Sequence, residues 1–158
     1  MSNKVWKFTN QRELNKSEFL NYVERKVFRT IRKNNILPKD KIIILKKDDT
    51  INTTILKSII EKKFEVKFGT KPNMSSENLS QFAEDIFKNA LKGDFKNNIS
   101  NNAPLAQLSD KELEIYAKLK NIRGVKRKQD KKIQELFEKF LKKNQDLEQN
   151  VVKAGSQL

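Results

Sequence analysis

Residues 42–69 read IIILKKDDTINTTILKSIIEKKFEVKFG. Ile42-Ile43-Ile44-Leu45 is a short unbroken apolar run, the pattern of a strand buried on both faces. Residues 46–52 are polar and loop-like. Over residues 53–63, Ile55, Leu56, Ile59 and Ile60 recur at helical spacing. Glu65-Val66-Lys67-Phe68 reads as a second short strand, ended by Gly69. Strand, helix and strand in this order predict one right-handed βαβ unit in a helix-rich α/β domain.

Upstream, Ser17 is placed to cap a helix over 18–34, with Phe19, Leu20, Val23, Val27 and Ile31 on one face. Trp6 and Phe8 alternate, as in a short strand or an anchored arm. Downstream, Ser75 or Ser76 is expected to cap a helix ending near Leu91. Its apolar stripe is Leu79, Phe82, Ala83, Ile86, Phe87, Ala90 and Leu91, and Gly93 follows where a C′ glycine belongs. Residues 95–103 are asparagine-rich and loop-like. Ser109 and Glu112 then form a capping box, with Leu108 and Leu113 at the staple positions. A basic turn at 123–128 precedes a last helix over 129–144, burying Ile133, Leu136, Phe137, Phe140 and Leu141. The expected organisation is one reduced α/β domain over 1–145. Residues 18–93 are its core, 104–144 its C-terminal helical portion, and 146–158 a flexible tail.

Composition removes whole classes of chemistry. The 158 residues include no cysteine and no histidine. Cysteine nucleophiles, histidine acid–base catalysis and Cys/His zinc sites are therefore excluded. No metal or cofactor is expected. The N-terminus lacks a signal-peptide core, and no run of 18 apolar residues exists, so a cytoplasmic protein without a membrane span is expected.

Thirty-four Lys and Arg against 20 Asp and Glu leave a formal charge of +14. Like charges repel in a compact chain, so an excess of this size calls for an anionic partner, RNA above all. Lys118, Lys120, Arg123, Lys126, Arg127, Lys128, Lys131 and Lys132 fall within 15 residues, opposed there only by Asp130. A turn between two helices would present them as one patch for backbone phosphates. Arg25, Arg29, Arg32 and Lys33 on the first helix extend the candidate footprint. Each run also has a plain reading as a solvated face. Asp48-Asp49 after the first strand offers carboxylates for magnesium, against a plainer reading as a solvated acidic loop. Glu84 with Lys88 reads as an ordinary i,i+4 pair. No motif for sequence-specific RNA reading is present, and Trp6 reads better as a packed anchor than as a stacking platform.

Several segments carry a family likeness. Residues 19–33 (FLNYVERKVFRTIRK) precede the strand Asp40-Lys41-Ile42-Ile43-Ile44-Leu45. Residues 78–87 (NLSQFAEDIF) lead to Leu91-Lys92-Gly93-Asp94, and Pro104-Leu105 is followed by Ser109-Asp110-Lys111-Glu112-Leu113-Glu114-Ile115-Tyr116-Ala117. In content and order they resemble the cytoplasmic tRNA 2-thiolation family, the adenylating thiolases that act on tRNA uridines. The likeness covers about two thirds of the chain, as scattered segments. It implies a reduced Rossmann-like core of the PP-loop ATPase type.

The departures bear on chemistry. The family's pyrophosphate loop, SGGKDS, falls on Lys47, Asp48, Asp49, Thr50, Ile51 and Asn52. Both glycines are gone, and two carboxylates stand where phosphates would lie. The family's GHN turn falls near Thr70-Lys71-Pro72-Asn73, without its histidine, and the family's cysteines are absent. The chain is about half the family's usual length, with the missing part between Phe64 and Gly69. The expectation is a shortened, non-catalytic pseudoenzyme or accessory subunit that binds RNA, tRNA first and rRNA as the alternative. An active thiolase paralogue or ribosomal proteins are the protein partners to expect. The competing reading is a structural component of a ribosome-associated assembly.

Overall fold

The computed structural model describes residues 3–94, 101–141 and 144–155. The loop expected at 95–100, the Phe140 side chain, the helix end expected at 142–143 and residues 156–158 of the expected tail lie outside the described residues.

The chain begins with an antiparallel hairpin, β1 (Lys4–Lys7) and β2 (Glu13–Asn15). Sequence reading found β1 but not β2, because three residues carry no alternation to detect. Trp6 from β1 and Leu14 from β2 are buried in the main core. Helix α1 (Lys16–Lys33) follows directly. Its cap is Asn15 rather than Ser17: the Glu18 N–H donates to Asn15 Oδ1 at 2.9 Å, and the Asn15 N–H donates to Glu18 Oε1 at 3.0 Å. This reciprocal pair satisfies amides that the first turn leaves free.

Strand β3 (Ile42–Leu45), helix α2 (Ile51–Ile60) and strand β4 (Glu65–Phe68) form the expected βαβ unit. The strands run parallel, pairing Ile42 with Glu65 through to Leu45 with Phe68. Ile43 and Leu45 are buried, whereas Ile42 and Ile44 are half-buried, so β3 is not covered fully on both faces. The side of β3 away from β4 is not bare. The Ile44 N–H donates to Asn73 Oδ1 at 2.8 Å, and Asn73 Nδ2 donates to the Ile42 carbonyl at 3.1 Å. The Asn73 amide thus stands in for a strand residue and removes part of an open edge. Four residues of α2, Ile55, Leu56, Ile59 and Ile60, are fully buried. Each contributes about 1.5–3 kcal/mol relative to exposure.

Helix α3 (Leu79–Leu91) is capped by Asn78, not by Ser75 or Ser76. Those serines are engaged elsewhere: Ser75 Oγ accepts the Glu77 N–H, and Thr53 donates to Ser76 Oγ. The stripe of α3 stops early, leaving Ala90 and Leu91 exposed, because the packing ends one turn before the helix does. Gly93 has φ of 77°, the left-handed C′ position that glycine fills without strain. Helix α4 (Asp110–Lys120) carries the predicted Ser109–Glu112 capping box. Helix α5 (Lys131–Leu141) buries Ile133 and Phe137, but Leu136 lies on its exposed side.

The C-terminal expectation needs correction. Residues Leu147–Gly155 of the expected tail form helix α6, which packs on α3 and α5. Leu147, Val151 and Val152 join Ala83, Ile133 and Phe137 in a second, smaller core. The main core unites the hairpin, α1, β3, α2 and α4. Among the described residues no helix is long and apolar enough to cross a membrane.

Candidate functional site

In α/β units ligands gather at the carboxyl ends of strands. Here that place is a cleft of about 350 Å³ beyond Leu45, bordered by Asp48, Thr50, Thr53, Ser76 and Arg127. A phosphate would need free amides at the start of α2. Three of them, those of Thr50, Ile51 and Thr53, are used by the chain itself. The Thr50 N–H donates to Asp48 Oδ1 at 3.0 Å, and the Thr50 hydroxyl donates to the same oxygen at 2.7 Å. The Ile51 N–H donates to the Val125 carbonyl at 2.8 Å, and the Val125 N–H returns to the Asp49 carbonyl at 2.8 Å. The Thr53 N–H goes to the Thr50 hydroxyl oxygen.

A close approach makes this seal possible. A Cβ on Gly124 would lie 3.0 Å from both the Asp49 carbonyl oxygen and the Ile51 nitrogen. Glycine lets the segment after α4 lie flat on the 47–52 loop that leads from β3 into α2. Within that loop Lys47, Asp48 and Asp49 are exposed, Thr50 and Ile51 are half-buried, and Asn52 is buried. Among the described residues no cluster of three His, Cys, Asp or Glu side chains is placed to hold a metal.

Beside the cleft lies a buried ionic junction. Arg127 donates through Nε and Nη2 to the Asp110 carboxylate, and through Nη2 to Glu84 Oε2 at 3.2 Å. Asn78 and Gln129 also donate to Asp110, and Gln134 donates to Glu84. Burial opposes the Arg127 charge, but the bonds and charge of Asp110, then of Glu84, outweigh it and hold the guanidinium above its ordinary range. The Asp130 N–H donates to Glu84 Oε1, and the Asp130 carboxylate accepts the N–H groups of Lys132 and Ile133 at the start of α5. One step away, Ser80 donates to Glu148 of α6 and accepts the Asp110 N–H. Burial pushes the Glu148 carboxyl up to about 7 against the Ser80 bond, with Asp110 and Glu112 adding to the rise.

This junction corrects two expectations. Arg127 is not a free member of the basic patch; its side chain is 8% exposed and neutralised by two carboxylates. Glu84 does not pair with Lys88, which instead meets Asp130 at 3.2 Å. The charge run hid both facts, since a buried arginine and a solvated one look alike in sequence.

The other basic candidates lie on the surface. Lys118, Lys120, Arg123, Lys126, Lys128, Lys131 and Lys132 are exposed, and Lys126 meets Glu114 at 3.3 Å. Arg25, Arg29, Arg32 and Lys33 are exposed along α1, and no ion pair among the described residues takes them. Trp6 is buried against Phe19 at 5.7 Å between ring centres, as an anchor rather than a platform.

No protein-family profile matches the sequence, and no curated protein does. Among solved structures the chain is similar to a U34-tRNA thiolase, NcsA, from Methanococcus maripaludis, solved with its 4Fe–4S cluster. The TM-score is 0.74 at 10% identity, over 98% of this chain and 83% of that one. Such clusters are held by cysteine thiolates, and this chain has none, so its residues do not fit that group. The mixed α/β fold, built from two small sheets and six described helices, is similar to the fold of that thiolase.

Proposed function

We propose that the chain is a shortened, non-catalytic relative of tRNA thiolases, with a reduced Rossmann-like core, that binds RNA and takes tRNA as its target. The observation that carries the reading is the state of the β3–α2 turn. The Thr50 and Ile51 amides, which would face a pyrophosphate, are bonded to the Asp48 carboxylate and the Val125 carbonyl. An incoming phosphate would have to displace a negative charge and a backbone bridge together.

What remains exposed is cationic. The formal charge of +14 persists alongside a thiolase-like fold, and the surface lysines and arginines of α1, α4 and the 123–132 segment hold it in water. The described sheet around β3 has two strands, and the match takes in 83% of the thiolase chain, so any shortening relative to it is slight rather than a loss of half. Its binding role is to hold tRNA or to serve an active thiolase as a non-catalytic subunit.

Calorimetric titration with magnesium ATP tests the loss of chemistry. The expected result is no saturable heat and no pyrophosphate release, with or without tRNA. Tight ATP binding with turnover overturns the proposal.

A further inference from the structure

Between the N-terminal hairpin and α1 runs a groove of about 400 Å³. Its floor is one helical face, carrying Tyr22, Arg25, Lys26 and Arg29, and its wall is the hairpin, carrying Phe8 and Arg12. Four cations face a single carboxylate, Glu18, whose Oε1 already caps the Asn15 N–H. Arg12, Arg25 and Arg29 are exposed, and no ion pair among the described residues takes them or Lys26.

The groove is built rather than draped. Arg12 closes a tight turn: its carbonyl accepts the Phe8 N–H at 2.8 Å, and its N–H donates to Asn10 Oδ1 at 3.0 Å. Lys26 is drawn partly under the surface, donating to the Gln107 carbonyl at 3.3 Å, with Nζ 4.7 Å from the centre of the Tyr22 ring. Burial lowers its pKa and the Arg29 charge lowers it further, while Glu112 and Asp146 offset part of this. The main cost to the Lys26 charge is its partial burial, which an anion bound beside it in the groove would offset.

The aromatic groups are already committed. The Tyr22 hydroxyl donates to Glu112 Oε2 at 2.6 Å, and the Tyr22 and Phe8 rings meet at 82° with their centres 5.2 Å apart. Bases therefore find no free stacking face, and the groove can read only charge and shape. Arg25 and Arg29 are separated by about 6 Å of helix rise, close to the step between phosphates of an extended single strand. The exposed large apolar residues Phe68, Leu91, Val125 and Leu136 all lie off the groove, so it has no anchor for a lipid surface.

We propose that this groove seats the phosphodiester backbone of a single-stranded RNA segment without regard to sequence, through Arg12, Arg25, Arg29 and Lys26. This rests on the RNA-binding reading and adds a location to it.

The test uses the full chain and a labelled single-stranded RNA oligonucleotide, read by fluorescence anisotropy across a salt series. The R12Q/R25Q/R29Q variant should bind about tenfold or more weakly at low salt, and its log–log salt slope should flatten by about 2. The matching Arg→Lys variant should recover most of the slope, with circular dichroism confirming an unchanged fold in both. If the wild type binds RNA and the Gln variant keeps its affinity and slope, the groove proposal fails while the RNA reading stands. If the wild type binds no RNA, the RNA reading fails and the groove with it. If acidic phospholipid vesicles bind through these arginines and RNA does not compete, a membrane is the partner and the proposal is wrong.

Discussion

Arg127 and Asp110 form a buried fork-to-fork pair, with Nε to Oδ1 and Nη2 to Oδ2 both at 2.8 Å. The pair ties the first residue of α4 to the segment after it. That segment is the one whose Val125 closes the start of α2. An arginine within the most basic run of the chain thus holds the basic turn in place by giving up its own charge to the interior.

Replacing Arg127 with Met removes the cation shared by the buried Glu84 and the part-buried Asp110. Breaking such a pair from one side costs about 3–5 kcal/mol. Denaturant unfolding of Arg127→Met should show a loss in this range. A loss under about 1 kcal/mol would mean that the junction does not hold the fold together.

Gly124 is predicted to be intolerant of a side chain. The atoms a Cβ would meet belong to the backbone of Asp49 and Ile51, and they cannot swing aside. Gly124→Ala should cost about 1–3 kcal/mol. It should also speed hydrogen exchange at the Ile51 and Val125 amides, which form the bridge. Unchanged exchange there would contradict the seal.

Glu148 gives the protein a pH dependence of definite sign. Its folded-state pKa is raised to about 7 by burial, above the carboxylate value of an unfolded chain. The native state therefore binds the proton more tightly, and the stabilisation is full below the unfolded value. Stability should fall as pH rises through about 7, by at most roughly 3 kcal/mol. The Asp110 and Glu112 charges add to this rise, while the Ser80 bond and the Arg127 charge oppose it without reversing it. Glu148→Gln should flatten the profile between pH 5 and 7, approximate bounds set by the two pKa values. A wild-type profile that rises across this window would contradict the burial of this carboxyl.

Sequence reading was strongest where local chemistry and packing agree. The Ile42–Leu45 run, the Ile55–Leu56–Ile59–Ile60 spacing and the Ser109–Glu112 box each specify one local structure, and each is present. Caps were misplaced where several polar residues compete. Asn15 and Asn78 took the cap positions because an Asx side chain spans the same turn; Ser17 lies inside α1 as its second residue, and Ser75 accepts the Glu77 N–H instead. Helix α6 escaped notice because its apolar residues, Leu147, Val151 and Val152, occupy a short segment rich in Gln and Asn and gain their burial from α3 and α5. The candidate surface was legible as total charge but not as geometry. Composition places Arg127 with its basic neighbours, whereas only the fold brings Asp110 and Glu84 to it. Arg12 stands far from the other basic runs in sequence and joins Arg25 and Arg29 only through the hairpin.

RNA binding through surface charge, as proposed, is tested by equilibrium binding of the wild-type chain to a labelled unmodified tRNA transcript over a series of salt concentrations. Saturable binding at low salt is expected, with a linear log–log decline of slope about −3 or steeper set by counterion release. Absence of binding at the lowest salt, or an affinity indifferent to salt, would contradict it.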